Sequence, residues 1–179
     1  SRPDCSVEER YAMNQLAAAI VFTSQGVPFF LNGEEFARTK PIPGTNKVSE
    51  NSYNLSLEIN GIRYEWTKEQ EALQEYYKGL IAFRKAHEGL RLSTAKQIRE
   101  DIRFVENLPA NVVAFTVRTE KETLFVVYNA NPKAVEIELP EAKKWKVYVD
   151  AEHAGNTCIG NVSHTAAVSP LSCMVCSTN

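Results

Sequence analysis

The sequence has 179 residues, enough for one domain or two small ones whose core needs neither disulfide nor metal support. Hydrophobic residues at 44% and charged residues at 23% exclude disordered, collagen-like and disulfide-scaffold classes. With 20 basic residues against 22 acidic ones, a net charge of -2 and no Lys/Arg stripe, the footprint of a nucleic-acid binder is missing. The longest apolar stretch, residues 16–22 resumed at 27–31, is broken by Thr23-Ser24-Gln25-Gly26, so no membrane-spanning helix is expected. Residues 1–10 carry no cleavable signal pattern and no initiator Met, which reads as an internal piece of a longer protein. Four cysteines, Cys5, Cys158, Cys173 and Cys176, are too few for a scaffold and are expected as free thiols.

Ser6-Val7-Glu8-Glu9 has the spacing of a capping box, so a helix should start there. Met13, Leu16, Ala17, Ile20 and Val21 recur at helical spacing, and Gly26 suits the turn beyond its end near Ser24. Val27-Pro28-Phe29-Phe30-Leu31 reads as a short strand, apolar on both faces, of the kind buried in a parallel sheet. Residues 32–66 hold so much Pro, Gly and Asn that a long, functional or disordered loop is expected. Thr67-Lys68-Glu69-Gln70 is a second capping box, followed by Leu73, Tyr76, Tyr77, Leu80, Ile81 and Phe83 on one helical face, with Gly89 as terminator.

After Gly89 the period becomes alternating, which predicts six strands, at residues 102–105, 112–117, 124–128, 135–139, 145–149 and 171–176. Asn107-Leu108-Pro109-Ala110-Asn111 and Asn129-Ala130-Asn131-Pro132 supply turns, which suggests an antiparallel meander or sandwich with its boundary near Glu88. Tyr11, Phe22, Tyr76, Phe83 and Trp145 are read as packing residues.

His87, His153 and His164 have no metal-ligand spacing and read as surface or helix-end residues. Cys173-Met174-Val175-Cys176 has C-x-x-C spacing, but residues three apart on a strand face opposite ways, so joint coordination or redox pairing is not expected. No Walker loop, G-x-G-x-x-G or G-x-S-x-G elbow occurs. Gly33-Glu34-Glu35-Phe36 puts two carboxylates directly after the apolar run, where barrel enzymes build their sites. Adjacent glutamates tend to point apart and do not suit a glycosidase pair; the local alternative is a cap on a neighbouring helix or an ion pair with Arg38.

The segment Leu16-Ala17-Ala18-Ala19-Ile20-Val21-Phe22-Thr23-Ser24-Gln25-Gly26-Val27-Pro28-Phe29-Phe30-Leu31-Asn32-Gly33-Glu34-Glu35-Phe36-Ala37-Arg38-Thr39-Lys40 resembles the last β/α unit of the α-amylase superfamily barrel, specifically that of type I pullulanases. Asn51-Ser52-Tyr53-Asn54, Asn60 and Trp66 are similar to the loop after that strand. Gly79-Leu80-Ile81-Ala82-Phe83-Arg84-Lys85 resembles the last barrel helix, and Pro170-Leu171-Ser172-Cys173-Met174-Val175 the closing strand. The fold this implies is α+β as a fragment: the tail of a (β/α)8 barrel over residues 1–88, then an antiparallel C-terminal β-sandwich over 89–179.

The same resemblance implies a starch-debranching glycoside hydrolase that cleaves α-1,6-glucosidic links with retention. It implies no cofactor, and α-glucan as the partner of a full-length parent; no metal, nucleic acid or membrane is expected from the spacing, charge and hydropathy above. Its catalytic carboxylates lie on earlier strands, so no catalytic residue is expected in this chain, which alone should be inactive. Phe104-Val105-Glu106-Asn107 echoes the strand-seven motif, but Leu108 and Pro109 follow it and it comes after the last barrel helix, so it is read as a decoy. Asn51, Tyr53 and Glu34 are the substrate-binding candidates. Ile62-Arg63-Tyr64-Glu65-Trp66 departs from a shorter family ending. The alternative is a non-catalytic carbohydrate-binding or structural β-module; self-association through the barrel-derived strand is expected if its edges stay unpaired.

Overall fold

A computed structural model describes residues 4–179; residues 1–3, including the position where an initiator Met was sought, lie outside the described residues. Among the described residues the chain forms four α-helices, α1 (Val7–Thr23), α2 (Leu57–Asn60), α3 (Lys68–Ala86) and α4 (Ala95–Asp101), and two 3-10 turns, Glu34–Phe36 and Glu88–Arg91. The strands are β1 (Ile102–Phe104), β2 (Val112–Arg118), β3 (Thr123–Asn129), β4 (Val135–Glu138), β5 (Trp145–Val149), β6 (Gly160–Val162), β7 (Thr165–Val168) and β8 (Ser172–Ser177). Every pairing of these strands is antiparallel. Six strands make one sheet in the order β1-β2-β3-β8-β5-β6, and β4 and β7 make a separate ribbon.

Both expected capping boxes are formed. The Ser6 N–H donates to Glu9 Oε2 at 2.9 Å and the Glu9 N–H to Ser6 Oγ at 3.1 Å; Thr67 and Gln70 repeat the exchange before α3. Each cap contributes about 1 kcal/mol by satisfying N–H groups that a helix start leaves orphaned. The other end of α1 has no basic residue in its last turn, and α3 supplies one. The Arg84 guanidinium donates to the carbonyls of Phe22 at 2.8 Å, Ser24 at 2.6 Å and Gly26 at 2.5 Å, where the helix dipole is negative.

Two expectations need correction here. Gly89 does not terminate α3 through a left-handed φ: His87 closes the helix by donating its N–H to the Phe83 carbonyl. Gly89 is buried in the 3-10 turn, where an added Cβ would lie 3.2 Å from Val117 Cγ1 and 3.3 Å from Thr119 Cγ2, so it is its small size that the position uses. Among the described residues, 27–31 join no ladder and form no strand. Exposure still alternates along them, with Val27 95%, Phe29 86% and Leu31 57% exposed while Phe30 packs on Phe22 and Tyr77. An apolar run becomes a strand only where a neighbour accepts its backbone hydrogen bonds.

The six-stranded sheet separates two cores. On one face Phe115, Val117, Leu124, Val126, Cys173 and Val175 meet Leu16, Ala19 and Phe22 of α1 and Leu73, Leu80 and Phe83 of α3, so this core draws on both sides of residue 88. On the other, Phe125, Val127, Trp145, Val147, Met174 and Cys176 meet Val135 and Ile137 of β4 and Ala166 and Val168 of β7. Strands β3 and β8 are buried at every position because both faces are covered. In β5 a register shift between Val147 and Val149 turns Val149 to the helical face while Trp145 and Val147 keep to the ribbon face, as a β-bulge does. Cys173 and Cys176 fall on opposite faces of β8, as their spacing requires. Close docking of α3 depends on Gly79, where a Cβ would stand 1.9 Å from the Ala154 carbonyl oxygen.

Candidate functional site

Residues 32–66 form an organised loop. It starts from Gly33, whose φ of 105° and contact with the Arg38 stem leave no room for a Cβ. The following 3-10 turn is braced by its own glutamates: Glu34 Oε1 accepts from the Leu31 N–H at 3.1 Å and Glu35 Oε2 from the Gly33 N–H at 2.8 Å. The two carboxylates thus hold the turn in place of the expected alternatives, a neighbouring helix cap or an Arg38 pair. Arg38 instead donates through Nη2 to the Asn60 carbonyl.

The middle of the loop hangs on Ser52, which is 5% exposed. Lys40 Nζ donates to Ser52 Oγ at 2.6 Å, and Asn60 Nδ2 donates to the Ser52 carbonyl at 2.6 Å and the Leu55 carbonyl at 2.9 Å. An isolated bridge between Pro41 and Val48 closes the arm before it. Because Ser52 faces inward, the residues on either side face out: Asn51 is exposed and Tyr53 is 84% exposed. A free phenol ring beside a free amide can stack on a sugar face and bond its hydroxyls. Ser52, the anchor that presents both, carries no sequence signal that distinguishes it from other loop serines.

Glu34 lies elsewhere. It lines a cavity of about 300 Å³ with Asn14, Phe22, Phe30 and Tyr77, which neither Asn51 nor Tyr53 reaches. The Tyr77 hydroxyl donates to Asn14 Oδ1 at 2.7 Å, and Asn14 Nδ2 donates to the Glu34 carbonyl at 3.1 Å. Burial first, then the Glu34 and Glu35 charges, pushes the Tyr77 phenol up and keeps it a neutral donor. At the foot of the loop Phe36 stacks on Trp66 with centroids 4.9 Å apart, and Gln70 Nε2 donates to the Phe36 carbonyl at 2.9 Å.

Outside the loop, His87, Glu122 and Ser177 gather a hydroxyl, an imidazole and a carboxylate. His87 Nδ1 is 2.8 Å from Glu122 Oε1, but the Ser177 hydroxyl donates to Glu122 Oε2 at 2.7 Å and not to the imidazole, so no base faces the serine oxygen. The cluster ties the end of α3 to the β2–β3 turn and to β8. Among the described residues no group of three or more His, Cys, Asp or Glu could hold a metal, and no helix is long and apolar enough to cross a membrane. Phe104 and Glu106, from the motif read as a decoy, lie on and just after the edge strand β1.

A β sheet of this order, with an antiparallel ribbon on one face and capped helices on the other, has close counterparts. Residues 98–153 match the family described as the pullulanase all-beta domain. The chain is 30% identical over 155 residues to the pullulanase of Bacillus subtilis (strain 168), covering 83% of this chain and 20% of that protein. A point mutant of the pullulanase from Paenibacillus barengoltzii, solved in complex with maltotetraose, is 40% identical and superposes with a TM-score of 0.80 over 99% of this chain and 26% of that one. The pullulanase from Bacillus acidopullulyticus gives 0.90 at 30% identity, over 99% and 22%. The chain therefore resembles the C-terminal portion of a type I pullulanase, as residues 16–40, the loop after them, residues 79–85 and the closing strand led one to expect. It spans about a fifth of the length of the curated relatives it matches.

Proposed function

We propose that this chain is the C-terminal portion of a starch-debranching glycoside hydrolase of pullulanase type, acting on α-1,6-glucosidic links in pullulan and branched α-glucans. In this reading residues 1–88 are the end of its (β/α)8 barrel and residues 89–179 its terminal β-sandwich. The observation that carries it is the apolar run between α1 and α3: Val27, Phe29 and Leu31 are exposed on a segment whose backbone has no ladder partner, the condition of a barrel strand beside missing neighbours. Paired with a copy of itself, the same run would support self-association.

Retaining glycosidases need two carboxyl groups about 5–5.5 Å apart across the scissile bond. Glu34 and Glu35 each bind an N–H of their own turn and do not make such a pair, so the reacting carboxylates belong to upstream strands of the parent and the chain alone is inactive. Its share of the work is to seat α-glucan: Tyr53 stacks on a pyranose face and Asn51 bonds hydroxyls, while Glu34, away from both, braces the turn from which the loop starts. The maltotetraose bound by the Paenibacillus barengoltzii relative supports an α-glucan as ligand. Reducing-sugar release from pullulan tests the reading: the parent releases it and the chain does not. Release by the chain alone that Tyr53→Ala abolishes contradicts the inactivity. A parent that leaves pullulan intact while residues 89–179 bind branched maltooligosaccharides favours the binding-module alternative.

A further inference from the structure

Tyr53 stands at the tip of a tight turn. The Leu55 N–H donates to the Ser52 carbonyl at 3.0 Å, so residues 52–55 form a β-turn with Tyr53 and Asn54, both exposed, at its central positions. That one backbone bond closes the turn but does not fix where its tip points. Apolar packing does not fix it either, because Tyr53 is 84% exposed and α2, which follows the turn, has no buried residue. A ring can only serve as a platform for a sugar if its place is set before the sugar arrives, so the turn needs a polar tie.

Asn60 supplies the tie. It is the last residue of α2, whose single turn brings the chain back against the β-turn before it. The Asn60 carboxamide nitrogen donates to both ends of that turn, to the Ser52 carbonyl at 2.6 Å and to the Leu55 carbonyl at 2.9 Å. Both partners are acceptors, so only the NH2 group can face them, and its two hydrogens are spent on the turn. A carboxylate of the same shape would turn an oxygen towards both carbonyls. Asn60 is held in its own place from two directions: Arg38 Nη2 donates to its carbonyl, and its N–H donates to the Ser56 carbonyl at 2.9 Å. The Lys40 ammonium adds a bond to the Ser52 hydroxyl at 2.6 Å.

We infer that Asn60 is a positioning residue for the sugar seat: it fixes the turn of residues 52–55 so that the Tyr53 ring meets a pyranose face, and acts on the ligand only through that ring. The inference rests on the role proposed for Tyr53. A double-mutant cycle in the parent tests it, with Asn60→Asp, Tyr53→Ala and the double variant compared for pullulan kinetics and, by calorimetry, for maltohexaose affinity. Asn60→Asp should raise KM and Kd about fivefold, the loss of one stacking contact, and leave kcat unchanged. The double variant should be no worse than Tyr53→Ala, because a ring that is gone cannot be misplaced. Asn60→Ala should repeat the result without the added charge. Unchanged KM and Kd in Asn60→Asp, a fall in kcat alone, wild-type affinity in Tyr53→Ala, or losses that multiply in the double variant would each overturn the inference. A parent that leaves pullulan intact removes the proposed function, and the calorimetric cycle still decides the role of Asn60; cleavage of pullulan with losses that multiply removes the positioning role alone.

Discussion

Strand β3 and residues 27–31 are both runs of apolar, β-forming residues, and they end in opposite surroundings. β3 lies between β2 and β8, with α1 and α3 over one face and the β4–β7 ribbon over the other, and each of its residues is buried. Residues 27–31 have one covered side, where Phe30 meets Phe22 and Tyr77, and among the described residues no strand pairs with either edge. The difference is one of partners: burial of this kind of sequence needs two ladders and two covers, and the chain supplies all four only to its β half.

The sharpest way to break this comparison is to truncate one side chain in each region and follow urea unfolding. Trp145→Ala, in the core under the ribbon, should cost about 3–5 kcal/mol. Phe29→Ala in the same chain should stay within about 0.5 kcal/mol, because the ring is 86% exposed. Equal losses at the two positions would mean that residues 27–31 have a partner after all.

A smaller contrast separates two glycines. Gly79→Ala drives a Cβ into the Ala154 carbonyl, a backbone atom that cannot step aside, and should destabilise by about 1–3 kcal/mol as α3 lifts from the sheet. Gly44, at the tip of the long loop with φ 71°, meets nothing within 4 Å, so Gly44→Ala carries only the left-handed strain of about 1–2 kcal/mol. Thermal unfolding of the two variants should put Gly79→Ala at or below Gly44→Ala, and show exposure of the helical core in Gly79→Ala alone.

A pH effect should follow from the clip between α3 and the sheet. Burial alone would raise the Glu122 carboxyl, but hydrogen bonds from His87 and Ser177 and the charges of His87 and Lys121 outweigh it and hold the group below its ordinary value. A carboxyl lowered in the folded state contributes stability that is fully present above its unfolded pKa, about 4.3, and is lost as pH falls through the folded value. Glu122→Gln should therefore flatten the acid limb of a stability-versus-pH curve. The smallest effect on the fold belongs to Asn51→Ala and Tyr53→Ala, within about 0.5 kcal/mol, since both side chains point into solvent; in the parent the same changes should raise KM for pullulan.

What could be read from the chain alone were the features carried by neighbours in sequence. The capping boxes at Ser6 and Thr67, the six alternating runs and the split of Cys173 from Cys176 all depend on spacings of two to four residues. The capping box at Thr94 and Gln97 obeys the same rule and starts α4, but the helix is only seven residues long and has no buried position, so periodicity offered nothing to support it. Strands β6 and β7 escaped notice because they are short and half exposed, and β7 owes its place to β4, some thirty residues earlier. Arg84 capping α1 and Ser52 presenting Asn51 and Tyr53 are tertiary events with no local mark. Residues 27–31 show the reverse case: their pattern reads as a strand, and a pattern cannot say whether its partners are present.

Amide hydrogen exchange at Val27, Phe29 and Phe30, compared between this chain and the parent, tests the central claim most directly. Completion of a barrel predicts rapid exchange in the chain, with β3 protected, and protection of all three amides once upstream strands are present. Slow exchange of these amides in the isolated monomer, or fast exchange in both, would contradict it.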